Sequence, residues 1–560
     1  MRTVPVYQIL AEDIKGLGVD SVFGLMSDDI CQLVATLDAI GVRFIGARHE
    51  TNAIMMAAGY ANASGKLGVA LIGRGAAMAN GMHGSMSSSR TGMPVLIISG
   101  DLPLARGVSN ALGPDLKNFP AAMVLRTCGI AAFAPSSPEN ARQTLADAVA
   151  EASLGKAAAL LLPTDIQVAY ADMADGPSPV KLLPKPAPQA ARASSITSAV
   201  ALLQSSKRPL IVAGVGAHRG GAREAIEVLA DKTGALLITA LKAKDMFRGN
   251  PYDLGILGSS SHSLARRYIE QADCVLVIGA ALNFLTMSSG IALPPVPMIH
   301  VDVTRTNIGR WWHADVAVVG DATLVAQQLT AALPDRAAAD KPFHTEETRR
   351  KLAAFEHTQD FQSQHTARTM DSRLLALELN KILPENRHVV FDGGNFMANW
   401  AYLSVRDPSH FTHTQDFGSV GLGLGTAIGV ARARPERPVV LFIGDGGLLM
   451  SMGETETIIR EDLPIIVVVM NDAAYGAEVH ILRGQNLPVA KAQFLDVDFA
   501  PMMEPMGFEA HTIRTLDELR KLAPLLAKPE GPIFLDCKIN MEVVAPFITE
   551  FTHKDTGKKA

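Results

Sequence analysis

Short, strongly apolar runs recur along the chain, each bounded by glycine, proline or a polar turn. The clearest are VRFIGA (42–47), GVALIG (68–73), PVLIISG (94–100), PLIVAGVG (209–216), CVLVIGA (274–280), MIHVDV (298–303), RHVVFDGG (387–394), PVVLFIGDGG (438–447), PIIVVVMND (464–472) and PIFLDCKI (532–539). Between them lie longer stretches of helical pattern. Strand–helix alternation of this kind predicts an α/β protein whose parallel sheets are covered by helices on both faces. The chain opens on a helix, with Val6, Leu10, Ile14 and Leu17 on one face and Gly16 and Gly18 ending it. Two stretches read as linkers: residues 175–195, rich in Pro, Ala and Ser, and residues 333–350, polar and without an apolar strand. They divide the chain into units at 1–180, 190–335 and 360–545. The last ten residues, FTHKDTGKKA, are polar and read as a mobile tail.

Composition narrows the class. A length of 560 residues suits about three domains. The hydrophobic fraction of 48% with 19% charged residues suits a soluble α/β protein with deep cores. The net charge of -5 and the lack of any basic block argue against nucleic acid. The longest apolar runs, such as Ile465–Met470, are too short to span a bilayer, and the N-terminus has no signal-peptide pattern. None of Cys31, Cys128, Cys274 and Cys537 forms a CxxC pair. Buried, reduced thiols and a cytoplasmic protein are expected, and a zinc site is not.

The stretch from Ile443 to Asp472 carries the chemistry. A strand ends in Gly444-Asp445-Gly446-Gly447, a helical stretch follows, and a second strand ends at Asn471. A right-handed crossover returns the second strand parallel to the first, so both carboxyl ends share one edge of the sheet. Asp445 and Asn471, with residues 447–470 between the motif and the Asn, become neighbours. Oxygen side chains beside glycine backbone suit a hard cation bridging a diphosphate. A GDG triplet alone is as often a plain turn. The spacing and the β-α-β context strengthen the reading.

This pattern resembles the thiamin-diphosphate motif, and the three-part layout is similar to the family containing acetolactate synthase, pyruvate and benzoylformate decarboxylases, benzaldehyde lyase and 2-hydroxyacyl-CoA lyase. The resemblance implies three doubly wound domains, the first binding the cofactor's pyrimidine and the third its diphosphate. It implies that Asp445, Asn471 and the carbonyl of Ala473 hold Mg²⁺. Gly444, Gly446, Gly447, Tyr475 and Gly476 would surround the diphosphate, with Gly394 and Asn395 from the FDGGNF loop. Glu50, before AAGYA, resembles the residue that shares a proton with the pyrimidine. A lone Glu at a helix start is otherwise explained by the helix dipole. Gly75 and Asn80 match a segment that usually reads GPGxxN, here with Ala76 for proline and with Arg74 and His83 as unusual additions. Gly418 and Val420 fall where the family supports the bent cofactor, Val420 being smaller than the usual wedge. Active sites formed at the interface of a homodimer or homotetramer follow from the same resemblance.

The substrate signal is thinner. Asp28 aligns with an acid of the pyruvate and indolepyruvate decarboxylases, and Glu478 with another; such a pair would protonate the product before aldehyde leaves. Their bland readings are a helix cap and a solvated helix residue. The decarboxylases' paired histidines are absent; Ser109 and Asn110 stand near that place, and His480 is a substitute. In the middle unit, AGVGAHRGGA and GAALN leave FAD or ADP possible but favour no nucleotide. The expected activity is non-oxidative decarboxylation of a 2-oxo acid with carboligation, ahead of acetolactate synthase-like ligation, 2-hydroxyacyl-CoA cleavage, and an inactive cofactor-binding scaffold. Intact Glu50, Asp445 and Asn471 argue against the scaffold.

Overall fold

The computed structural model describes residues 2–104, 117–173, 178–337 and 340–555; Ser109 and Asn110 lie outside them. Three six-stranded parallel sheets carry the fold. Edge to edge, the first runs Arg43–Gly46, Ser21–Gly24, Gly68–Ile72, Val95–Asp101, Ala157–Pro163, Ala131–Phe133. The last runs Phe411–His413, His388–Phe391, Val439–Gly444, Ile465–Asn471, Ile533–Lys538, Glu509–Ile513. With strands counted in chain order within each sheet, both read 2-1-3-4-6-5. The middle sheet runs Asp253–Ile256, Leu236–Thr239, Pro209–Ala213, Cys274–Ile278, Met298–Asp302, Val316–Val319, the doubly wound order 3-2-1-4-5-6.

The opening helix spans Val6–Gly16 and buries Val6, Leu10 and Ile14 as the pattern requires. From Ser178 the first linker continues without regular structure to the helix Ala193–Ser205. The second linker holds part of a helix, Glu346–Ala353, capped by the Thr345 hydroxyl, which accepts from the Thr348 N–H at 3.1 Å. The tail differs from expectation: a helix runs Pro546–Asp555, taking in the first half of FTHKDTGKKA. All four cysteines are free thiols, but only Cys274 and Cys537 are buried; Cys128 is exposed.

One hydrophobic core is shared by the first and last sheets. It joins Ile54, Met55 and Met56 to Leu424, Ile428, Val467 and Phe534. Its centre is the contact between the helices Glu50–Ser64 and Gly423–Ala433. Small residues set the approach: a Cβ on Gly59 would fall 2.3 Å from the Thr426 carbonyl oxygen, and one on Gly429 1.9 Å from that of Met56. Both obstacles are backbone and cannot rotate aside. Gly429→Ala is therefore expected to destabilise the protein by about 1–3 kcal/mol or more, the cost of overpacking a tight core. A thermal midpoint equal to that of the unmodified protein would show that the two helices slide apart freely.

Candidate active site

The β-α-β unit forms as the pattern requires, with its helical part broken in two, Asp445–Ser451 and Glu454–Arg460. Beyond the strand ends Gly444 and Asn471 opens a cleft of about 470 Å³. Gly394, Gly418, Val420, Asp445, Gly446, Asp472, Ala474, Tyr475 and Glu478 all line it, with Gly444, Gly447, Asn395 and Gly476.

Asp445 is in place, but its companion is Asp472 rather than Asn471. The reason is strand alternation: successive side chains point to opposite faces. Met470 and Asp472 lie on the cleft side, and Asn471 turns away. Its amide donates to Asp536 at 2.8 Å and to the Val497 carbonyl at 3.1 Å. Ala473 is displaced likewise. It sits at φ 56°, and its carbonyl accepts from the Phe494 N–H at 2.7 Å. Ala474 lines the cleft instead, its N–H directed at both Asp445 and Asp472. The dipeptide Asn-Asp offered two candidates, and only the pleat distinguishes them.

The two carboxylates are short of positive charge. Burial pushes the Asp445 carboxyl up to about 7, with the charge of Asp536 adding to the effect. Burial also raises Asp472 well above the usual range, and the charge of Asp445 raises it further. Asp445 is buried and Asp472 half-buried, and two such acids in repulsion on one cleft suit a hard divalent cation. The surrounding glycines suit a diphosphate. A Cβ on Gly447 would lie 2.6 Å from Asp392, one on Gly446 2.5 Å from Tyr475, and one on Gly394 (φ 149°) 2.7 Å from Phe396. Close packing thus keeps these positions free of side chains, and their backbone borders the cleft.

The other predicted residues divide. Asn395 lines the cleft, but its side chain is committed to the C-terminal segment, donating to the Val543 carbonyl at 2.7 Å and accepting from Ala545 at 2.9 Å. Glu478 stands exposed in the first turn of the helix Gly476–Gly484, at the cleft. His480, in the same helix, is buried against the Met541 backbone and does not line the cleft, so it is no partner for Glu478. Asp28 also lies elsewhere. It is exposed and ion-paired with Lys117, while its neighbour Asp29 is buried and accepts from Ser27 at 2.5 Å and from the Arg74 N–H at 2.7 Å.

Glu50 opens its helix at the carboxyl edge of the first sheet and is 9% exposed. The Asn80 amide donates to it at 3.2 Å. Gly75, at φ 65°, begins the Asn80 helix; a Cβ there would lie 2.4 Å from the Lys117 carbonyl oxygen. Glu50 and Asn80 do not line the Asp445 cleft. His83, three residues beyond Asn80, reaches its rim and hydrogen-bonds Ser419 at 2.5 Å. Two acids that went unremarked hold this frame. Asp392, fully buried, accepts from Thr414 at 2.8 Å and from the Gly421 N–H at 2.7 Å, fixing the loop that carries Val420. Glu454 accepts from the Arg48 and His49 N–H groups at 2.9 and 3.1 Å, so the last domain grips the turn that precedes Glu50. A strand ending in Asp-Gly-Gly, as at 391–394, was the signal for the first; nothing in the sequence flagged the second.

Comparison with known proteins agrees with this geometry. Residues 5–121 match the thiamine pyrophosphate enzyme N-terminal TPP binding domain, 196–329 the central domain and 392–537 the C-terminal TPP binding domain. The chain is 26% identical over 556 residues to a probable acetolactate synthase large subunit of Methanocaldococcus jannaschii, covering 97% of this chain and 93% of the relative. It is 27% identical to a sulfoacetaldehyde acetyltransferase of Alcaligenes xylosoxydans xylosoxydans (91% and 88% covered) and 26% identical to the oxalyl-CoA decarboxylase of Escherichia coli K12 (91% and 91%). The three domain matches, in family order and over most of the chain, place it among the thiamine pyrophosphate enzymes.

Proposed function

We propose that the chain holds thiamin diphosphate through Mg²⁺ on Asp445 and Asp472 and cleaves the carbon–carbon bond beside the carbonyl of a 2-oxo acid. Non-oxidative decarboxylation is the main reaction and carboligation accompanies it. The observation that carries the reading is the convergence of the Asp445 and Asp472 carboxylates on a glycine-walled cleft. When bound, the cofactor supplies the electron sink for the broken bond. The chain's own residues do the rest. Asp445, Asp472 and the backbone at Ala474 hold the cation; glycines 394, 444, 446 and 447 leave backbone open to the diphosphate; Val420 supports the rings. Glu50, held by Asn80 and by the grip of Glu454 on the preceding turn, moves a proton at the pyrimidine. The relatives' names divide among synthase, acetyltransferase and decarboxylase, so cleavage and ligation both stand in the proposal. The test is turnover with thiamin diphosphate and Mg²⁺ on pyruvate, benzoylformate and a 2-hydroxyacyl-CoA. Aldehyde from either oxo acid supports the reading. Cleavage of the thioester alone moves the lyase ahead, and no turnover with the cofactor bound leaves the scaffold.

The catalytic unit is proposed as a homodimer or homotetramer, in the cytoplasm. No helix among the described residues is long and apolar enough to cross a membrane. Glu50 stands outside the cleft of its own chain, while Leu449 and Met450 stand exposed beside it, as a covering second copy would require. Co-expression of Glu50→Gln with Asp445→Ala tests this. If each site takes Glu50 from one chain and Asp445 from the other, mixed dimers keep one intact site, and about a quarter of the activity should return on statistical pairing across a two-fold interface. No return of activity would place both groups in one chain.

Glu478 is the proposed acid at product release. Glu478→Gln should slow aldehyde release by about 10²-fold, the low end for a positioned acid, with cofactor affinity unchanged. Asp28→Asn should do the same only if a second copy brings its sheet edge over the cleft. Product ratios read by NMR, with and without an added aldehyde acceptor, check both. Release at the unmodified rate in both variants would sink the decarboxylase analogy.

A further inference from the structure

Where the three domains meet, a second cavity of about 460 Å³ opens, and it shares no lining residue with the Asp445 cleft. Its walls come from the helix Glu50–Ser64 (Met55, Gly59, Asn62), from the middle domain (His218, Arg219, Lys242) and from the last domain (Thr412, Asp416, Thr426). A volume of this size suits a small molecule.

The charge of the cavity is unbalanced. Asp416 is the one acid among its described lining residues, and Lys242 takes it at 2.6 Å. Arg219 has no carboxylate within ion-pair distance among the described residues; its guanidinium lies 3.8 Å from the Met93 sulfur. His218 lies 3.5 Å from Asp407 and is lowered by burial. Lys185 adds a further cation. Arg219 keeps solvent exposure, and with no protein carboxylate on it its planar fork is open to a carboxylate or a phosphate.

We infer that this cavity binds a small organic anion, a carboxylate or a phosphate, with Arg219 as its main contact and Lys242 beside it. The occupant is smaller than a nucleotide. The crevice at the switch point of the middle sheet, through which a nucleotide would extend, is spanned by the Gly216 N–H donating to the Gly279 carbonyl at 2.9 Å. The anion would rest against the far end of the helix that Glu50 opens. The inference does not depend on which reaction the cleft performs.

The experiment is calorimetric titration of the full-length protein, already saturated with thiamin diphosphate and Mg²⁺, with inorganic phosphate, malonate and ADP in turn. Saturation keeps the probes out of the cleft. Binding of phosphate or malonate at one site per chain, weakened at least about tenfold by Arg219→Gln and less by Arg219→Lys, is the expected result; which of the two anions binds tells phosphate from carboxylate. Lys242→Gln is the second variant should Arg219→Gln not fold, and it too should weaken binding. The proposal is overturned if neither small anion binds, if both variants bind them as the unmodified protein does, or if ADP alone binds through Arg219.

Discussion

Asp472→Ala will cost the protein its cofactor, and Asn471→Ala will not. Both residues end the same strand, and the spacing from Gly-Asp-Gly does not separate them. The pleat does. Asp472 faces Asp445 across the cleft, whereas Asn471 is spent on Asp536 and Val497. Removing one of two carboxylates leaves a hard cation with too few oxygens to retain the diphosphate. Calorimetry with thiamin diphosphate and Mg²⁺ should show affinity reduced by at least ~100-fold in Asp472→Ala, about 2.7 kcal/mol. Asp445→Ala should match it. Asp472→Asn, which keeps an oxygen and loses the charge, should fall between. Asn471→Ala leaves the buried Asp536 carboxylate without one donor, so its effect should appear as about 1–3 kcal/mol of lost stability with affinity near normal. If Asn471→Ala loses the cofactor and Asp472→Ala retains it, the cation site is misassigned.

Glu50→Gln should bind the cofactor normally and lose activity by ~10²–10⁴-fold, the range for a missing acid–base group. The amide preserves the shape of the side chain and can still meet Asn80, so the Glu50–Ser64 helix should start as before. It cannot give and take a proton. Hydrogen–deuterium exchange at the cofactor's C2 position reads this step without any substrate. Exchange as fast as in the unmodified protein would remove Glu50 from the role. A Glu454→Gln change should have a milder effect of the same kind, since Glu454 acts on Glu50 only by holding the Arg48 and His49 backbone.

The long apolar strands were legible because burial on both faces makes them continuous: Val439–Gly444, Ile465–Asn471 and Ile533–Lys538 are all there. Less legible were strands of three or four residues, such as Ala131–Phe133 and Phe411–His413, whose strand character comes from their neighbours in the sheet. Ala157–Pro163 is long but rich in alanine and leucine, which suit a helix equally well. At the site, the backbone part was legible: Gly394, Gly444, Gly446 and Gly447 all border the cleft. The side-chain part was legible only to within one residue. Asn471 for Asp472 and Ala473 for Ala474 are the same error, a count without the alternation of the strand. His480 misses the cleft for a different reason: alignment gives a position along the chain, and which way a helix faces there depends on packing.

The core shared by the first and last domains has a consequence for the order in which the protein can be made. The helix Glu50–Ser64 is finished early in translation, but its packing partner, Gly423–Ala433, emerges about 360 residues later. At ~5–20 residues per second, that is a delay of roughly 20–70 seconds. Throughout it, the face around Gly59, which closes on Thr426, lacks that partner, while Ile54 already packs on the helix Ala76–Ser88. One face of the nascent first domain thus waits for its partner, and the interval in which chaperones have a target, or neighbouring ribosomes a sticking point, is set by all the chain between the two helices, the whole middle domain included.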